Sequence, residues 1–257
     1  MVETVQSADG TTIAFDRLGG GPAVVVVGGA MNTRLSPYPL ATLLADRFTV
    51  ISYDRRGRGE SGDGATYSVD REVDDLAAVV AATGGPAFVY GHSSGGILGL
   101  EAAARGVPVT RLAVYEPPYT FDPDGSAADG DPGVARALEA GDPEGAVRAF
   151  MRLTGMDDAT IDGISHAPFW AGLVAIAHTL PYDLALSGDG RVPADRLSSI
   201  DAPTLVMDGG VSPAWAARAA EGLLGAIPGA TRATLADQNH GVDHAVLAPV
   251  LIEFFEG

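Results

Sequence analysis

Residues 87–105, AFVYGHSSGGILGLEAAAR, constrain this chain more than any other stretch. They open with a short, β-prone apolar run, 87–90, of the length and composition of a buried parallel strand. They close with an alanine- and leucine-rich run, 97–105, that reads as a helix laying small residues against a sheet. Between them stands Gly91-His92-Ser93-Ser94-Gly95, a G-x-S-x-G pattern. A sharp strand-to-helix turn lifts the central hydroxyl clear of a sheet, and flanking glycines let neighbouring backbone pass without Cβ clashes. The helix starts just behind Ser93, so its free N–H groups face developing negative charge, with the Ser94 N–H as one oxyanion donor. A serine so placed is a candidate nucleophile. It needs a base, an acid and a second oxyanion donor from elsewhere in the chain.

The remaining sequence alternates strands and helices on either side of this stretch. Residues 1–16 read as two short strands joined by an Asp9-Gly10 turn. A valine run, 23–27, reads as a strand covered on both faces and ends in Gly28-Gly29-Ala30-Met31. The glycine pair allows close approach of a ligand, and the Ala30 N–H, or in its place the Met31 N–H, is the candidate second donor. A helix over 38–45, a strand over 48–53 and an amphipathic helix over 69–83 follow. Between the last two, Asp54-Arg55-Arg56-Gly57-Arg58-Gly59-Glu60-Ser61 mixes cations, carboxylates and glycines, which favours a hydrogen-bonded structural turn over an anion site. A strand over 109–115 stops at Glu116-Pro117-Pro118. Such alternation predicts an α/β fold: a mostly parallel sheet flanked by helices, with ligands beyond the carboxyl ends of its strands.

From 119 to 197 no central strand is evident. A Pro/Gly/Asp loop over 122–132 is followed by helical segments at 134–140, 143–153, 158–165, 168–180 and 182–187. This predicts a helical lid, 119–197, inserted into a core made of 1–118 and 198–257. Met156, Phe169, Trp170, Leu173 and Ile176 are candidates to roof an apolar pocket, with Trp170 set against the substrate. The sheet resumes with 203–207, followed by Asp208; a helix over 213–224, a strand over 230–235 and a helix over 247–255 complete the chain.

Composition excludes several function classes. There are no cysteines, which removes disulfides, thiol nucleophiles and thiolate metal sites. The formal net charge of −17 disfavours nucleic acid and anionic membranes as partners. No phosphate-binding glycine pattern opens a helix. His240 and His244 are four apart but lack a third ligand or an H-E-x-x-H pattern, so neither a metal nor another cofactor is expected. The N-terminus lacks a hydrophobic signal region, and no apolar run approaches the ~20 residues of a membrane span. A cytoplasmic protein acting on a small apolar molecule is the expectation, with a homo-oligomer left open.

Together the G-H-S-S-G turn, the G-G turn after an earlier strand, the D-R-R-G-R-G-E-S turn, the helical insert and a late histidine after the last strand resemble the α/β-hydrolase fold over nearly the whole chain. The resemblance implies that Ser93 is a nucleophile activated by His240 and aided by the Ala30 and Ser94 N–H groups. Elementary chemistry agrees, since a serine hydroxyl needs a positioned base and histidine titrates near neutrality. Where the family usually carries its acid, in the loop after 203–207, this chain has Ser212. Glu116, about where haloalkane dehalogenases of this fold often place theirs, is the preferred substitute. Asp208 remains open, and Asp237 is read as shaping the histidine loop. His92 is read as packing. Those dehalogenases use an aspartate nucleophile where Ser93 stands, which argues against their chemistry here. The expected activity is hydrolysis of a small or medium apolar ester or lactone through an acyl-enzyme. C–C or amide hydrolysis, a lyase or cyclase step, and a ligand-binding protein without turnover are the alternatives.

Overall fold

The structure is a computed structural model that describes residues 2–120 and 132–257. The loop expected over 122–132 lies, up to residue 131, outside the described residues. In chain order the elements are β1 (Glu3–Gln6), β2 (Thr12–Gly19), β3 (Ala23–Val27), α1 (Tyr38–Leu44), β4 (Thr49–Tyr53), α2 (Val69–Ala81), β5 (Ala87–His92), α3 (Ser94–Ala104) and β6 (Val109–Tyr115). Then come α4 (Pro132–Glu139), α5 (Pro143–Leu153), α6 (Asp158–Ser165), α7 (Trp170–Ala175), α8 (Leu180–Ser187) and α9 (Ala194–Leu197). The chain ends with β7 (Thr204–Gly209), α10 (Ala214–Ala226), β8 (Thr231–Leu235) and α11 (His244–Glu256).

The eight strands form one sheet in the order β1-β2-β4-β3-β5-β6-β7-β8. β1 and β2 pair antiparallel with their neighbours, and every pairing from β4 to β8 is parallel. The parallel strands are buried on both faces because their side chains alternate between two apolar layers. Val25, Val27, Leu112 and Val114 face a cluster with Leu76 and Val80 of α2, Leu98 of α3 and Leu223 of α10. Val24, Val26, Ala113 and Tyr115 face the other, with Leu40 and Leu44 of α1 and Leu247, Leu251 and Phe255 of α11. The order of strands reverses between β3 and β5. The turns that follow β3 and β5, carrying Gly28-Gly29 and Ser93, therefore lie side by side at the carboxyl ends of the strands, where folds of this kind place their ligands.

Among the described residues, the helices between β6 and β7, α4 to α9, do not pack as one body. Val134, Val147, Phe150, Ile161, Trp170 and Leu180 share a third apolar cluster, on which Ala30 and Met31 pack. Leu186 of α8 and Leu197 of α9 instead join the cluster under the sheet. The helix expected over 168–180 is broken: after α7 a single 3₁₀ turn, Ala177–Thr179, leads into α8. The chain leaves helical geometry at Ile176, with φ −106° and ψ 10°, and Pro181 takes a first-turn position of α8, where its missing N–H has no partner to lose. α11 starts at His244, three residues ahead of its apolar run, because Asp243 caps it by accepting from the Ala245 N–H at 2.8 Å.

Candidate active site

Ser93 sits at the bend between β5 and α3 with φ 56° and ψ −129°, a strained conformation for a residue with a side chain. Packing enforces it. A Cβ on Gly91 would lie 2.5 Å from the Gly95 carbonyl oxygen, and one on Gly95 would collide with the Val27 carbonyl. The elbow is thus pressed against the end of β3, and only glycine fits at both flanks. Ser93 N–H donates to the Tyr115 carbonyl at 2.9 Å, tying the bend to the end of β6. Every non-glycine residue with positive φ among those described lies on a turn following a strand of the parallel sheet: Met31 after β3, Ser93 after β5, Glu116 after β6 and Asp237 after β8. Strain concentrated in this way is expected where backbone is held for function.

The Gly28–Met31 turn closes over Ser93. A Cβ on Gly29 would fall 2.9 Å from Ser93 Cβ and 3.5 Å from its Oγ. Among the described residues, neither the Ala30 nor the Ser94 N–H is spent on a backbone acceptor. Ser94 is the first residue of α3, where N–H groups have no partner within the helix. Met31, the other donor candidate, has φ 58° and packs on the insert's cluster together with Ala30.

Glu116 and His240 meet. Glu116 Oε2 lies 2.8 Å from His240 Nδ1, and the carboxylate is fully buried while the ring is 40 % exposed. The other oxygen, Oε1, accepts from Gly209 N–H at 2.8 Å and from Ser212 Oγ at 2.5 Å. Ser212 cannot carry charge, but at the position usual for the acid it donates to a carboxylate supplied by the neighbouring strand. Burial alone would raise the Glu116 carboxyl, yet the bonds from His240, Ser212 and Gly209 hold it below its usual value. With Nδ1 committed to Glu116, Nε2 is the ring nitrogen left to face a substrate. Asp208 does not share this position: Arg232 forks it at 2.8 Å through both oxygens, and Thr234 Oγ1 adds a third bond at 3.0 Å.

His92, read from the sequence as packing, does more. Its ring lies between Tyr115 and His240, with centroids 5.7 and 5.0 Å away. Burial, reinforced by the His240 ring, pushes it down to about 4, so it is neutral. Its Nε2–H donates to the His240 carbonyl at 2.9 Å, and Tyr115 OH donates to the Asn239 carbonyl at 2.7 Å. The two strands that present Ser93 and Glu116 thereby also hold the histidine loop. Trp170, expected against the substrate, is 8 % exposed and belongs to the cluster on which Ala30 and Met31 pack, with the Arg148 guanidinium 5.6 Å from its ring centre. Phe169 is 58 % exposed. No three His, Asp or Glu side chains among the described residues gather as a metal site.

Behind the site lies a buried charge network whose key member sequence reasoning missed. Asp183, on α8, accepts at 2.7 Å from Arg55, Arg58 and Ser94 Oγ. Arg55 also forks Glu72, and Arg56 forks Asp75, both on α2. The arginine-rich, glycine-spaced turn 54–61 was the available signal for these pairs; nothing local marks Asp183 among the polar residues of the insert.

Comparison with known proteins agrees with this geometry. The pattern of the alpha/beta hydrolase family matches residues 20–249. An alpha/beta hydrolase from Sphaerobacter thermophilus superposes with a TM-score of 0.92 at 51 % identity, covering 98 % of this chain and 100 % of that one. The enol-lactonase from Burkholderia xenovorans superposes with a TM-score of 0.77 at 20 % identity over 99 % of this chain and 100 % of its own, a likeness of fold. N-formylmaleamate deformylase from Pseudomonas putida is 34 % identical over 119 residues, 44 % of each chain. The chain spans under half the length of the curated relatives it matches.

Proposed function

The chain belongs to the alpha/beta hydrolase family, and on that premise we propose that it is a serine hydrolase of small or medium uncharged carboxylic esters or lactones. The observation that carries this reading is the 2.8 Å bond between His240 Nδ1 and the buried Glu116, formed beside the strained Ser93 bend. In the reaction, Ser93 Oγ attacks the carbonyl carbon while His240 Nε2 takes the hydroxyl proton. Ser93 Oγ and His240 Nε2 come into hydrogen-bond contact as substrate binds, as catalytic hydrogen bonds commonly do. The Ala30 and Ser94 N–H groups receive the oxyanion. His240 then gives its proton to the leaving alkoxide, and Glu116 stabilises the imidazolium between the two transfers. A water, deprotonated by His240, attacks the acyl-Ser93 ester and regenerates the hydroxyl.

An uncharged substrate is supported by the surroundings. Arg55 and Arg58, the cations behind the elbow, are already paired with Glu72 and Asp183. The insert brings Leu173 and Val174 to the cluster that Ala30 and Met31 touch. Amide hydrolysis by the same groups is the second reading, favoured by the match to the deformylase. A binding protein without turnover had one support, the absent acid at Ser212, and Glu116 fills that gap. The test is hydrolysis of p-nitrophenyl acetate and butyrate by the wild type and by Ser93→Ala. Turnover that disappears in a variant with unchanged thermal melting supports the reading; turnover retained without Ser93 overturns it.

A further inference from the structure

The arginine-rich turn 54–61 has so far been given no part in the chemistry. Two of its members touch the backbone that covers Ser93. Arg58 Nη1 donates to the Gly29 carbonyl at 2.7 Å and lies 3.4 Å from the Asn32 carbonyl. Arg55 Nη1 lies 3.4 Å from the Gly28 carbonyl. The Gly29 carbonyl and the Ala30 N–H belong to one peptide unit, and in a planar trans peptide these two groups point in opposite directions. Holding the carbonyl on the Arg58 side turns the N–H away from it, in a turn whose Gly29 lies against Ser93 Cβ.

We propose that Arg58, anchored by Asp183 of the helical insert, is a positioning residue that aims the Ala30 N–H at the oxyanion, so that seating of α8 and readiness of the oxyanion hole are one event. The proposal rests on the serine-hydrolase reading above. Arg58 is fully buried, and Asp183 is the one carboxylate it pairs with among the described residues. Its Nε has no hydrogen-bond partner there. Burial and the adjacent Arg55 charge both disfavour its guanidinium, and Asp183 is the opposite charge that offsets them. Asp183 in turn accepts from Ser94 Oγ, whose own N–H is the other oxyanion donor. One carboxylate therefore braces both donors from behind. The peptide between Gly29 and Ala30 follows a glycine, which resists few conformations; the 2.7 Å bond from Arg58, shorter than the 3.4 Å one from the Asn32 N–H, restrains it.

The test compares wild type with Asp183→Asn and Arg58→Lys. The readouts are p-nitrophenyl butyrate kinetics, affinity for a phenylboronic acid, which forms a tetrahedral anion on serine, and cooperative melting. A misaimed donor costs transition-state binding alone, so kcat should fall on the order of 100-fold. KM should stay within about threefold, and boronate affinity should drop in parallel with kcat. Arg58→Lys keeps one donor and should retain more activity than Asp183→Asn. A folded Asp183→Asn with wild-type kcat, or one that loses kcat without losing boronate affinity, overturns the proposal. Where both variants fail to fold, the wild type decides: its Ala30 amide proton should move downfield when the boronate binds, and an unshifted amide overturns the proposal. A wild type that neither hydrolyses the ester nor reacts with a fluorophosphonate sinks the serine-hydrolase reading and this proposal with it; a wild type that does both beside unaffected variants sinks the proposal alone.

Discussion

At the scale of single residues, the acid of the site is a matter of which carboxylate the fold leaves free of other duties. Asp208 and Glu116 both end sheet strands, but Arg232 occupies Asp208, whereas Glu116 turns to His240. Glu116→Gln should lower kcat by about 10³- to 10⁴-fold, the scale of losing a triad carboxylate. Asp208→Asn should leave kcat within about twofold and reduce stability by about 1–3 kcal/mol, because the Arg232 fork loses its charge. Steady-state kinetics and urea unfolding on the two variants separate these outcomes. Ser212→Ala removes one of two donors to Glu116 Oε1 and should cost about tenfold in kcat with KM unchanged. Ser93, His240, Ala30 and Ser94 were legible as candidates because a glycine pattern or a strand end marks each of them. The choice between Glu116 and Asp208 was not legible, because it turns on Arg232, which is 24 residues from one and 116 from the other in sequence.

At the scale of elements, glycine and buried charge do the positioning. A methyl group on Gly95 would strike the Val27 carbonyl, so Gly95→Ala should destabilise the chain by about 2 kcal/mol and abolish activity. Circular dichroism melting and the ester assay check both halves of that expectation. Helix α2 shows why patterns of hydrophobicity reach only so far. Its apolar stripe, Val73, Leu76, Ala77 and Val80, was readable and is buried except at the half-buried Ala77. The same helix also buries Glu72 and Asp75, which a helical pattern assigns to solvent. They are inside because Arg55 and Arg56 come with them. Removing one side of such a pair leaves an uncompensated charge, so Asp75→Ala should cost about 3–5 kcal/mol. The broken helix before α8 was missed for a simpler reason: its helical pattern continues through Ile176, where the backbone turns out of the helix without a local sequence signal.

At the scale of the whole molecule, the alternation of strand and helix was enough to place the sheet and to bring Ala30, Ser93 and Glu116 to the carboxyl ends of its strands. It was not enough to show that part of the insert packs beneath the sheet and, through Asp183, reaches the elbow. That connection makes acid stability a global property. Burial would raise Asp183 and Glu116, but their arginine, histidine and hydroxyl partners hold both below the ordinary carboxyl value when folded. The unfolded chain then takes up these protons at a higher pH than the folded one. Their stabilisation is complete above the unfolded carboxyl range near pH 4 and is lost as pH falls through the depressed values. The melting temperature should be level from neutral pH to about pH 5 and fall below that, with a shallower fall in Asp183→Asn. None of this tests the central claim, which is covalent. The direct measurement is rapid acid quench of the protein during p-nitrophenyl butyrate turnover, followed by peptide mass mapping. The account predicts one butyryl group, carried on Ser93 and absent from Ser93→Ala; ester turnover with the Ser93 peptide unmodified, or the acyl group found on another residue, would contradict it.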